Sequence, residues 1–70
     1  MQEGLLVLNT DGRFTVNDIT LHCGTPIELY VENYGWIKGR VEHSEDYRGY
    51  YFFNTNGRHR SLWEGLKVRI

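Results

Sequence analysis

The chain has little cysteine, little proline and no long apolar run, and each shortage closes off a class of protein. Cys23 is the only cysteine among 70 residues, so neither an internal disulfide nor a thiolate-built metal site can form. A lone cysteine suits a reducing compartment better than secretion, so a cytoplasmic location is expected. No stretch approaches the roughly 18 apolar residues that a membrane-spanning helix needs. The opening residues, MQEGLLVLNTDG, lack the basic start and apolar run of a signal peptide. No segment sustains a 3.6-residue apolar repeat, so no long helix is expected, at most a short 3-10 turn near the C-terminus. Pro26, the only proline, stands before the run IELYVE, where a strand would begin. There is no glycine-rich loop opening a helix, no nucleophile elbow and no pair of carboxylates with a cleft to hold them. The expectation is a protein that is not an enzyme and takes no cofactor. A chain this short makes one domain, residues 1–70, with a limited core.

What the chain does have is punctuation. NTDG (9–12), ENYG (32–35) and NTNG (54–57) separate short runs rich in Val, Ile, Tyr, Phe and Trp. Turn signals at this spacing predict an all-β fold, a small, partly open barrel of about five to six antiparallel strands. In the central hairpin, a loop of Asn33, Tyr34 and Gly35 sets Glu32 opposite Trp36, Tyr30 opposite Lys38 and Glu28 opposite Arg40. One face is then Ile27, Leu29, Val31, Ile37, Gly39 and Val41, and the other is Glu28, Tyr30, Glu32, Trp36, Lys38 and Arg40. A slip of one residue would mix the two faces. Gly39 within a strand suits a sharp bend. A loop of Thr10, Asp11 and Gly12 sets Leu8 opposite Phe14 and Leu6 opposite Val16, in an N-terminal hairpin over 4–16. The third hairpin allows a two-residue turn, Asn56-Gly57, or a three-residue one, Thr55-Asn56-Gly57. Either Tyr50 and Phe52 or Tyr51 and Phe53 then point inward. In the closing strand, Leu66, Val68 and Ile70 share one face, and Lys67 and Arg69 the other.

These runs carry a resemblance. LHCGTPIELYV, WIKGRVEH, GYYFF and LWEGLKVRI follow the layout of SH3-like barrels. More closely, residues 20–70 resemble a small bacterial domain-of-unknown-function family of clostridial-type genomes and mobile elements. Its motifs correspond here to Cys23-Gly24 with Glu28, Trp36 with Arg40-Val41-Glu42, and Glu64-Gly65-Leu66 with Val68-Arg69. The resemblance implies an SH3-like fold, and a role as an accessory or inhibitory factor of a mobile element, but no activity. A looser similarity is to Tudor-type barrels, whose aromatic cages hold methylated side chains through cation–π attraction. Trp36 would match their tryptophan.

Two surfaces are candidates. Tyr30, Trp36, Lys38 and Arg40, with Tyr47 in the loop HSEDYRG (43–49), form an aromatic and basic set suited to a protein partner. The plainer reading is cross-strand stabilisation, with Glu28 against Arg40 and Tyr30 against Lys38. The alternative is a nucleic-acid surface of Arg58, Arg60, Lys67 and Arg69. Charge asymmetry favours it: residues 1–47 hold three Lys/Arg against eight Asp/Glu, and 48–70 hold five against one. The bland reading is that the folded halves interleave and neutralise. A homodimer through a sheet edge is a third possibility. His43, Glu45 and Asp46 lack a ligand spacing, so no metal is expected, and Cys23 is expected to be a buried structural thiol.

Overall fold

In the computed structural model, which describes residues 2–54 and 56–70, the chain is all-β. The strands are β1 (Glu3–Leu5), β2 (Val7–Leu8), β3 (Phe14–Val16), β4 (Ile19–Thr20), β5 (Pro26–Val31), β6 (Gly35–Ser44), β7 (Gly49–Phe53), β8 (His59–Ser61) and β9 (Lys67–Arg69). One 3-10 turn, Glu45–Tyr47, joins β6 to β7, mid-chain and not near the C-terminus. The sequence contains no alanine, the strongest helix former, in keeping with this. Among the described residues no helix is long and apolar enough to cross a membrane.

The strands form two antiparallel sheets, one of six strands in the order β1-β9-β5-β6-β7-β8 and one of three in the order β2-β3-β4. The larger sheet does not close, and β1 and β8 stand at its ends. Leu6 is the joint between the sheets: its N–H donates to Leu66 O and its carbonyl accepts from Gly65 N, each at 2.9 Å. The N-terminal hairpin is therefore not an appendage, since β1 pairs with β9 and β2 with β3. The core lies between the sheets, where Leu6, Phe14, Val16 and Leu21 meet Ile27, Leu29, Val41, Phe52 and Val68. Each such side chain contributes about 1.5–3 kcal/mol on burial.

One piece of turn chemistry is used twice. Asn9 Oδ1 accepts the N–H groups of Asp11 and Arg13, and Asn54 Oδ1 accepts those of Asn56 and Arg58, all at 2.9–3.1 Å. Gly12 and Gly57 take the left-handed backbone at φ 79° in both. NTDGR and NTNGR are thus the same asparagine-capped loop. Asn9 N donates to Arg13 O and Asn54 N to Arg58 O, which closes each loop one residue wider than a two-residue turn. This overturns the Asn56-Gly57 turn; Thr55, part of the three-residue alternative, lies outside the described residues. Asn54 is buried, so Asn54→Ala should cost about 1–2 kcal/mol, more than Asn9→Ala at its more open site. Urea denaturation of the two variants checks the order.

The pairing confirms Leu8 opposite Phe14, whereas Leu6, expected opposite Val16, lies outside that ladder and bonds Leu66 and Gly65 instead. Leu8 is nonetheless exposed at the rim, while Phe14 is buried. In the central hairpin Tyr30 pairs with Trp36, Leu29 with Ile37 and Glu28 with Lys38. The register is two residues from the expected one, because the loop is Glu32-Asn33-Tyr34, with Asn33 at φ 74° taking the turn. A shift of two preserves the faces and changes every partner. Phe52 is buried and Tyr50 packs on the core, which settles the inward pair of GYYFF. Gly39 has no left-handed backbone, and its role is space rather than bend, because the Phe52 ring lies against it.

Candidate functional site

Alternation along four strands of the larger sheet sends one set of side chains away from the core. From β9 come Lys67 and Arg69, from β5 Glu28 and Tyr30, from β6 Trp36, Lys38, Arg40 and Glu42, and from β7 Tyr51 and Phe53. His59 of β8 stands beside Phe53 on the same side. The predicted Tyr30, Trp36, Lys38 and Arg40 therefore do share one outer face.

At one end of this face Tyr30 and Trp36 meet edge to face, with ring centroids 5.4 Å apart. Arg69 places its guanidinium 4.2 Å from the Trp36 ring centre, and Lys67 its ammonium 5.0 Å from that of Tyr30. These cations come from β9, not from the hairpin, and each such contact is worth about 0.5–2 kcal/mol. Arg69 Nη2 also donates to Glu28 Oε1 at 3.0 Å, and Glu28 is buried. The expected pairs Glu28 with Arg40 and Tyr30 with Lys38 do not form: Arg40 pairs instead with Glu42, two residues along its own strand. Trp36 is half-buried beneath its cation, while Tyr30 is exposed.

At the other end Tyr47, Tyr51, Phe53 and His59 form a second aromatic cluster. Tyr47 stacks on Tyr51 with centroids 4.4 Å apart, and His59 lies parallel to Phe53 at 5.9 Å. Tyr47 Oη and His59 Nδ1 share a hydrogen bond of 2.8 Å, and Arg40 covers Phe53 at 4.7 Å. Two adjoining hollows of about 330 and 350 Å³ separate the clusters, one lined by Glu28, Lys38 and Arg69, the other by Lys38, Arg40 and Phe53. Lys38 is exposed between them and takes part in neither ion pair of the described residues.

The alternative basic set is split. Lys67 and Arg69 belong to the outer face, whereas Arg58 and Arg60 lie at the β8 end of the sheet, four strands from β9 in its order. Arg60 points to the opposite side from His59, across Trp63 at 5.4 Å. Sequence reading missed His59, Tyr51 and Phe53 as members of the face. Their alternation was legible, but not which parity pointed outward. Among the described residues no three His, Cys, Asp or Glu side chains come together as a metal site.

Cys23 is exposed, not buried as expected. Its Sγ lies 3.3 Å from Glu42 Oε1, and this hydrogen bond to a carboxylate is the chief reason the thiol is held above its ordinary range. Glu42 is in turn held below the usual carboxylate range, first by Arg40 and then by the Cys23 thiol. The Glu42 contact thus favours the protonated thiol and lowers the share of thiolate, the form that attacks. Glu42→Gln should speed iodoacetamide labelling of Cys23 several-fold near pH 8, and an unchanged rate would show that Glu42 does not govern the thiol. Glu42 stabilises the fold above its unfolded pKa, and that contribution fades as pH falls through its lowered folded value.

The sequence profile of a protein family described as a domain of unknown function (DUF5348) matches residues 4–70, which takes in the N-terminal strands as well as the rest. No curated protein and no solved structure matches the chain.

Proposed function

The chain thus belongs to the DUF5348 family, and from the face its larger sheet presents we propose that it is a small, non-enzymatic binding module for another protein. The observation that carries this is the composition of one continuous face, with two aromatic clusters flanking four cations, two of which, Arg40 and Arg69, are ion-paired within the face. Arg69 and Arg40 are each matched by a glutamate, which a phosphate-tracking surface has no use for. Aromatic and arginine side chains around a desolvated centre are what protein interfaces use as anchors. The set is Tyr30, Trp36, Lys38, Arg40 and Tyr47, joined by Lys67 and Arg69. The open, wrapped sheet supports an SH3-like reading of the barrel. The resemblance of residues 20–70 to a family of clostridial-type genomes and their mobile elements supports an accessory or inhibitory role, and the lone cysteine supports a cytoplasmic one.

The nucleic-acid reading has less support, because its four cations are divided between two places and Arg69 is engaged by Glu28. The test is capture with immobilised protein, identification of what is retained, and titration of that purified partner. Trp36→Ala should weaken binding by at least about 2 kcal/mol, roughly 30-fold, as anchor truncations do. A parallel titration with single-stranded DNA decides the class. Amide shifts on Lys67, Arg69, Arg58 and Arg60 together, collapsing steeply with salt, would replace the protein reading with the nucleic-acid one.

A further inference from the structure

We propose that the free edge of β8 accepts an extended, acidic segment of a partner protein as a seventh strand. This edge borders the outer face at its Tyr47–His59 end, and the proposal does not depend on the role of the Trp36 end of that face.

Strand β8, His59–Ser61, is the last in its sheet, and all three of its residues are exposed. Its backbone groups alternate in direction. Arg58 O accepts from Asn54 N, so the Arg58 carbonyl faces the β7 side. By antiparallel alternation the Arg60 groups face β7 as well, and those of His59 and Ser61 face away. Among the described residues no hydrogen bond reaches the amide or carbonyl of His59 or Ser61. That leaves two donors and two acceptors in strand geometry, the template used in β-strand addition.

The side chains say what kind of strand fits. Arg58 and Arg60 flank the edge on one side of the sheet, and neither takes part in an ion pair of the described residues. Beside them opens a cavity of about 270 Å³ floored by Leu29, Ile37 and Phe52. Such an apolar floor strengthens a guanidinium–carboxylate pair above it by excluding water. On the other side of the sheet the edge is flanked by the Phe53, His59 and Tyr47 rings. An incoming strand with acids at alternate positions and apolar residues between them matches both sides at once. A second copy of this chain does not match. Two β8 edges side by side would bring the arginines of both chains together, and like charges facing across strands destabilise. The edge therefore repels itself and selects an acidic partner.

The probe is a capped decapeptide alternating glutamate and valine, with a lysine–valine decapeptide and single-stranded DNA as controls. Amide hydrogen exchange is read on the whole, isotopically labelled protein. At a glutamate–valine concentration about ten times its Kd, exchange at His59 and Ser61 should slow about tenfold. Two variants separate the backbone from the charges. Ser61→Pro removes an N–H that the fold does not use, so it should abolish binding with little change in Tm. The double variant Arg58→Glu/Arg60→Glu should lose the glutamate peptide and gain the lysine one. Trp36→Ala, at the far end of the outer face, should leave this binding unchanged while weakening that of the outer face. Shifts without protection at His59 and Ser61, or equal binding of the two peptides, would overturn strand addition by an acidic segment. Protection by DNA but not by the glutamate peptide would overturn it too, in favour of a nucleic acid at the same edge.

Discussion

Replacing Gly39 by alanine is expected to destabilise the protein by about 3 kcal/mol, the upper end for overpacking a dense core. For a domain of this size that corresponds to a fall in Tm of about 12–24 °C. A Cβ at this position would stand 2.5 Å from Phe53 O and from Cζ of the Phe52 ring. The carbonyl belongs to the β6–β7 pairing opposite Arg40, so it cannot retreat without disturbing the ladder. The ring is buried in the core, so it cannot swing out without leaving a void. A second substitution separates space from bend. Phe52→Leu removes the ring atoms that collide with the new methyl, and should make the pair Gly39→Ala and Phe52→Leu less damaging than the sum of the singles by about 1 kcal/mol or more. Were Gly39 needed only to bend the strand, the two changes would add. Guanidinium denaturation of the four proteins of the cycle gives the answer.

Much of this was legible in the sequence, for a reason that also explains the failures. Strand faces follow a period of two, so any register error of two residues leaves them intact. That is why Ile27, Leu29, Ile37 and Val41 were assigned inward although the hairpin loop begins at Glu32 and not at Asn33. Both Asn33 and Gly35 take positive φ, so turn chemistry alone did not choose between the two loops. The cations that meet Glu28 and Tyr30 were missed for a different cause. Both are supplied by β9, which lies beside β5 in the sheet but some forty residues away in the chain, as the separation of 41 between Arg69 and Glu28 shows. Local alternation carries no signal for such a neighbour. The inward pair of GYYFF hinged on one residue of loop length, and the recurrence of NTDGR as NTNGR was the clue that would have supplied it. Cys23 was expected in the core on general residue preference, whereas Cys23 and Gly24, the latter at φ 92°, are the central residues of the His22–Thr25 turn into β5, and that turn leaves Cys23 outside.

Arg69 is where the fold and the proposed binding face meet, and its removal should be the costliest change outside the core. Arg69→Leu leaves the Glu28 carboxylate, whose side chain is only 11% exposed, without its cation. A carboxylate so placed and unpaired costs about 2 kcal/mol or more. Glu28→Leu should cost about 1 kcal/mol, because Arg69 keeps more solvent and keeps its contact with Trp36. Replacing both should be less harmful than Arg69→Leu alone, since a leucine pair in a half-buried site leaves no charge stranded. The coupling read from this cycle, about 1–2 kcal/mol, should persist in high salt, where an exposed ion pair would be screened. Strict additivity would mean that the pair is no more than a surface contact. The same variants report on the face above. Without the guanidinium, the Trp36 ring loses its cover, and its fluorescence should move to longer wavelength in a Trp63→Phe background. If the ring must be held by Arg69 to receive a partner, Arg69→Leu will weaken partner binding although Trp36 is still there. If binding is unchanged while stability falls, Arg69 serves the fold alone and Trp36 is held well enough by Tyr30.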